Sequence, residues 1–186
     1  IAYCTRSMLL DRFRVVLVAP SHPGNIGAAA RAMLTMGLTR LALVAPLRFP
    51  DPDAAARASG ATSVLDAAQV VATLEEAVAG CALAIGLSSR PREFAGRVQP
   101  VRAAAAAAVV HAAHGDVALV FGPEMSGLSN DDLARCAMIA KIPTSAGYAS
   151  LTLFIKMGYF ENEKVREAMG YTLGCNVPQE GRAKGI

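Results

Sequence analysis

The chain has no run of about 18 apolar residues free of charges and helix breakers, so a conventional membrane-spanning helix is not expected. The alanine-rich stretch from Ala103 to Ala113 is too short to span a bilayer. The first ten residues carry one charge, Arg6, and no long apolar core, so a secretory leader is not expected; Met8 is a candidate start. Cysteine is sparse and scattered. Cys4, Cys81, Cys136 and Cys175 include no C-x-x-C pair. That argues against a disulfide framework or a zinc site and suits a reducing, cytoplasmic setting. Cys81 and Cys136 stand among apolar residues and are expected as small core side chains. His111 and His114 are three apart on an expected helix, but no third ligand stands nearby, so no metal site is expected. A G-x-S-x-G elbow and a G-x-x-x-x-G-K-[ST] loop are both missing.

What is present describes a folded domain. Hydrophobic residues make up 53% of 186, which is enough for one domain of ordinary size with a proper core. Net charge is +3, but residues 1–50 hold six arginines against one aspartate. A basic mouth near the first glycine-rich turn would suit a phosphate-rich partner; scattered, solvated arginines account for the same count.

Apolar runs alternate with helical patterns. Strands are expected over Arg14–Ala19, Leu41–Ala45, Leu83–Leu87, Val117–Phe121 and Met138–Ile142, with a short one over Ser63–Leu65. Helices are expected over Asn25–Met36, closed by Gly37, over Leu74–Gly80, over Pro100–His114 and over Asn130–Cys136, with a short one over Ala54–Ala58. Near-continuous apolar strands alternating with helices predict an α/β fold, a mainly parallel sheet covered on both faces. Composition changes near residue 151: Lys141 is the only lysine before it, and three lysines with only two alanines follow. The expected division is a domain over 1–151 and an atypical segment over 152–186.

Three turns follow strand-like runs, where an open α/β sheet builds its sites. In the first, Gly24 and Gly27 flank Asn25, a residue type that caps a helix and leaves amides for an anion. Arg31 lies about one helical turn past Gly27 and can lean back toward the site. A well-capped helix with a surface arginine would read the same way. In the second, Gly122-Pro123-Glu124-Met125-Ser126-Gly127-Leu128, two glycines bracket a carboxylate positioned to accept from backbone amides or from Arg31; a turn-stabilising glutamate is the plainer reading. The third, Ile142-Pro143 to Ser150-Leu151, is a small-residue loop of the kind that edges ligand sites. A dinucleotide fingerprint fits poorly, since the spacing is G-x-x-G and Ala45-Pro46 closes the next strand without an acid.

The combination N-I-G-A-A-A-R-A, F-G-P-E-M-S-G-L and I-P-T-x-x-x-Y-x-S-L resembles the SpoU/TrmH family of SPOUT RNA ribose methyltransferases, in particular its TrmJ-like tRNA branch. The likeness covers roughly residues 12–151. It implies an α/β fold with a deep carboxyl-terminal trefoil knot, S-adenosylmethionine as cofactor and a homodimer that completes the site. The implied reaction is methyl transfer to a ribose 2′-hydroxyl of tRNA, at cytidine or uridine 32 of the anticodon loop. Ribosomal RNA or another tRNA nucleotide is the alternative substrate, and a weakly catalytic RNA-binding paralogue is the alternative class. By motif match, Asn25, Arg31 and Glu124 fall on catalytic positions, and Leu87, Ser88, Ser89, Gly122, Ile142, Ser150 and Leu151 on cofactor-binding ones. The family continues S-L-N-L-A-Q-A where this chain reads S-L-T-L-F-I-K, so Thr152 replaces an expected asparagine.

Overall fold

Strands that are apolar along their whole length need cover on both faces, and this requirement organises the molecule. A computed structural model describes residues 9–89 and 97–141. Within them, strands β1 (Phe13–Val18), β2 (Arg40–Val44), β3 (Gln69–Val71), β4 (Cys81–Ser88), β5 (Val98–Pro100), β6 (Asp116–Phe121) and β7 (Met138–Lys141) form one sheet. The order is β3-β2-β1-β6-β4-β7-β5 and every neighbouring pair is parallel. The helices are α1 (Pro23–Thr35), α2 (Pro52–Ala58), α3 (Thr62–Asp66), α4 (Leu74–Val78), α5 (Val101–Ala112) and α6 (Asn130–Ala134).

Alternation along each strand divides the core in two. Val15, Leu41, Leu43, Ile85 and Leu119 point to one face and pack with Ile26, Met33, Ala54, Val64 and the alanines of α5. Val16, Val18, Ala42, Val44 and Val120 point to the other and meet Leu74, Ala77 and Leu133. The expected doubly covered parallel sheet is therefore the observed one. The expected carboxyl-terminal knot lies outside the described residues, as do Ile142, Ser150, Leu151, Thr152 and the segment 152–186.

Several expectations need correction. Ser63–Leu65 is not a strand but part of α3: Val64 and Leu65 are both buried, and Ala67 N–H donates to the Ser63 carbonyl. Two adjacent buried residues suit a short helix wedged under β2 as well as they suit a strand. The edge strands β3 and β5 escaped the reading because each is three residues long and partly exposed. Cys136 is buried as expected, but Cys81 is only half-buried. It opens β4 beside Arg14, Arg40 and Asp116, and burial pushes its thiol up.

Half of the basic surplus is placed differently. Arg12, Arg14 and Arg40 stand at the amino ends of β1 and β2 and converge on Asp116 at the start of β6. The first glycine-rich turn lies at the other end of β1, about 20 Å away for a six-residue strand.

α1 and α2 touch backbone to backbone at Gly27, where an added Cβ would lie 2.1 Å from the Ala54 carbonyl oxygen. Gly27 thus serves packing, and not a positive φ. Gly27→Ala gains helix propensity worth about 1 kcal/mol, yet must push two backbones apart, an overpacking cost of about 1–3 kcal/mol. We expect a net loss, read as a lower urea midpoint at unchanged slope; a raised midpoint would contradict the contact.

Candidate active site

The chain leaves β1 at Val18 and turns through Ala19–His22 into α1. Ala19 holds a left-handed φ of +43° and its N–H donates to the Val44 carbonyl at 2.8 Å. The helix begins two residues before the expected Asn25. His22 is the N-cap, with Nδ1 accepting from Gly24 N–H at 3.0 Å, and Pro23 fills the first helical position, where a missing N–H costs nothing. Because His22 caps the helix, Asn25 is released from that duty and its side chain reaches outward.

Next to β1 in the sheet, β6 ends at Phe121 and enters a tight turn. Gly127 N–H donates to the Pro123 carbonyl at 2.8 Å. Gly122 lies so close to the returning chain that a Cβ there would sit 2.2 Å from Leu128 N. Ser129 then caps α6 reciprocally with Asp132. This closed turn projects Glu124 toward the β1 loop.

There the two turns join. Glu124 Oε2 accepts from Ser21 Oγ at 2.7 Å and from Ser21 N–H at 3.2 Å, and Oε1 accepts from Asn25 Nδ2 at 2.8 Å. Partial burial would push this carboxyl up, but the hydrogen bonds from Asn25, from Ser21 and from backbone amides outweigh it and bring it down to about 2. All three donors are uncharged, so the carboxylate keeps its negative charge at the mouth.

Asn25 and Glu124 are therefore brought together, as their motif positions imply. Arg31 does not reach Glu124. It lies six residues beyond Asn25, about 9 Å along the axis and about a third of a turn around it, on an exposed flank of α1. Its guanidinium makes no hydrogen bond or ion pair with any described residue, which leaves its donors open. Ser21 was missed by sequence reasoning. Its only signal is a hydroxyl in the turn directly after β1, and the partner is 103 residues away.

Among the cofactor candidates, Leu87 is 5% exposed and packed into the core, so it offers a ligand only its backbone. Ser88 ends β4, Ser89 follows it, and both are half-exposed. β4 pairs with β6, so the two serines stand beside Gly122 along one sheet edge. Uncharged hydroxyls and main-chain groups along that edge fit the hydrogen-bonding edges of an adenosyl group. Three further candidates, Ile142, Ser150 and Leu151, lie outside the described residues. The His111–His114 pair sits at the end of α5, where His114 Nδ1 lies 3.1 Å from the Val110 carbonyl. No group of three potential metal ligands occurs among the described residues, and no helix among them is long and apolar enough to cross a membrane.

Residues 12–155 match the model of the SpoU rRNA methylase family. The chain belongs to that family. One relative, the tRNA (cytidine/uridine/adenosine-2′-O-)-methyltransferase TrmJ of Pseudomonas aeruginosa, is 53% identical over 146 residues, covering 78% of this chain and 57% of that protein. The chain thus spans little more than half the length of this curated relative. Among solved structures, a probable methyltransferase from Bordetella pertussis Tohama I superposes with a TM-score of 0.74 at 39% identity, covering 88% of this chain and 99% of the other. TrmJ from Z. mobilis ZM4 superposes with a TM-score of 0.69 at 38% identity, covering 86% and 68% respectively.

The Glu124 network has a testable acid limit. Its folded-state value of about 2 lies below the ordinary 4.5, so its contribution is complete above the unfolded value and is lost as pH falls through the folded one. A carboxyl-detected NMR titration should find the Glu124 midpoint near 2 in the wild type. In Ser21→Ala it should move up toward the ordinary value. An unmoved midpoint would show that Ser21 does not hold the carboxylate.

Proposed function

We propose that this chain is the methyl-transfer domain of a tRNA ribose 2′-O-methyltransferase that uses S-adenosylmethionine. The observation that carries the proposal is the junction of the β1 and β6 turns through Glu124, held by Ser21 and Asn25 at the carboxyl edge of a parallel sheet. Family membership and the tRNA activity named for the Pseudomonas relative support the same reading. The finer proposal is cytidine or uridine 32 of the anticodon loop, modified in the cytoplasm by a homodimer whose second copy completes the site. Residues 1–151 would form this domain and 152–186 a distinct segment.

S-adenosylmethionine, when bound, supplies a methyl group made electrophilic by its sulfonium. The chain must then hold the ribose hydroxyl in line and keep the mouth ordered. Ser88, Ser89, Gly122 and the backbone of Leu87 would hold the cofactor, with Ile142, Ser150 and Leu151 completing its site. Glu124, with a carboxyl at about 2, is a poor proton acceptor near neutrality. Its part is to lock the β1 and β6 turns together. Asn25, fixed by that carboxylate, lines the mouth. Arg31 presents a planar fork of N–H donors. Its open donors grip an RNA phosphate in two-point fashion and so align the neighbouring hydroxyl.

Incubation with labelled S-adenosylmethionine and either bulk tRNA or ribosomal RNA separates the readings. Label in tRNA is the expected result. Label confined to ribosomal RNA would replace the substrate, and RNA binding without label would make the chain a binding module. Arg31→Ala should lower transfer about 100-fold or more through lost alignment, while cofactor affinity by calorimetry changes little. Equal loss of both would contradict the assigned role.

A further inference from the structure

At the amino ends of the strands, opposite the proposed methyl-transfer face, lies a cleft of about 330 Å³ lined by Arg14, Arg40, Thr39, Ser63, Gln69 and Val64, among others. Its size is at the small end of ligand pockets. Two of its walls, Arg14 and Arg40, belong with Arg12 to a group of three guanidiniums around one carboxylate. Arg40 Nη1 lies 2.7 Å from Asp116 Oδ2, Arg12 Nη1 lies 3.4 Å from Oδ1, and Arg14 Nη2 lies 3.8 Å from Oδ2. Arg14 is itself largely buried, 14% exposed, with Nη1 held by the Ala77 carbonyl at 2.7 Å.

The cluster carries two positive charges in excess, and Asp116 cannot neutralise them. The side chains of Thr39, Ser63 and Gln69 make no hydrogen bond with any described residue, so two hydroxyls and an amide offer open donors on the same walls. Fixed guanidiniums beside neutral donors are the chemistry of an oxyanion site. We propose that this cleft binds a phosphate group, with Arg40, Thr39 and Ser63 as its ligands and Arg14, anchored on α4, as a fixed neighbouring charge. The site is separate from the methyl-transfer face and does not depend on that assignment. The phosphate has two possible sources, a free phosphate monoester or the backbone of an RNA that reaches past the far end of the sheet.

The test uses the full chain and inorganic phosphate, followed by phosphorus NMR and calorimetry. Saturable binding in the millimolar range is expected, weakened about tenfold in Arg40→Gln and also in Ser63→Ala. Ser63→Ala keeps every ion pair of the cluster, so a folding defect in Arg40→Gln cannot mimic the result. A short single-stranded RNA then distinguishes the sources. If it displaces phosphate, and Arg40→Gln reduces the salt dependence of RNA binding by about 0.7 in log–log slope, the occupant is RNA backbone. If RNA binds without displacing phosphate, the occupant is a free monoester. Non-saturable phosphate binding, or equal binding by wild type and both variants, would overturn the proposal.

Discussion

One carboxylate ties the carboxyl edge of the sheet together. Glu124 reaches from the turn after β6 to Ser21 and Asn25 beyond β1. It can do so because those two strands are hydrogen-bonded neighbours in parallel register, Leu17 opposite Phe121. A one-residue slip in that pairing would carry Glu124 away from the serine. The donors are neutral, so the pair of turns is fixed without cancelling the charge at the mouth. The tight turn beneath Glu124 and the histidine cap beneath Asn25 both serve this junction, the first by aiming the carboxylate and the second by freeing the amide.

The opposite end of the sheet uses a carboxylate in another way. Asp116 opens β6, as Glu124 follows its end, yet it faces three guanidiniums in place of neutral donors. Burial would raise its carboxyl, but Arg40 and Arg12 hold it below the usual range. The same strand therefore carries an anionic junction at one end and a cationic excess at the other. This polarity along β6 separates the proposed methyl-transfer mouth from the proposed phosphate cleft.

Much of this was legible in the chain. The long strands β1, β2, β4 and β6 are nearly continuous apolar runs, and both faces proved to be covered. α1 and α5 were found from periodicity and their breakers, with boundaries off by one or two residues. α3 and the edge strands were not legible, because three to five residues carry too little pattern to separate a helix from a strand. The site was half legible. Asn25 and Glu124 stand in recognisable turns, while Ser21 stands in a turn with no distinguishing pattern around it. Of the two partners the turn offers Glu124, backbone amides or Arg31, a backbone amide, that of Ser21, takes the bond, and six residues of helix rotate Arg31 away.

The sequence by itself determined the class of fold, the candidate turns and the family, because each follows from local pattern: apolar runs, breakers and short motifs. Tertiary structure alone decided which of those turns meet and where Arg12, Arg14 and Arg40 gather. Those outcomes depend on strand order and register, and they join residues about a hundred positions apart, over which a linear pattern carries no signal.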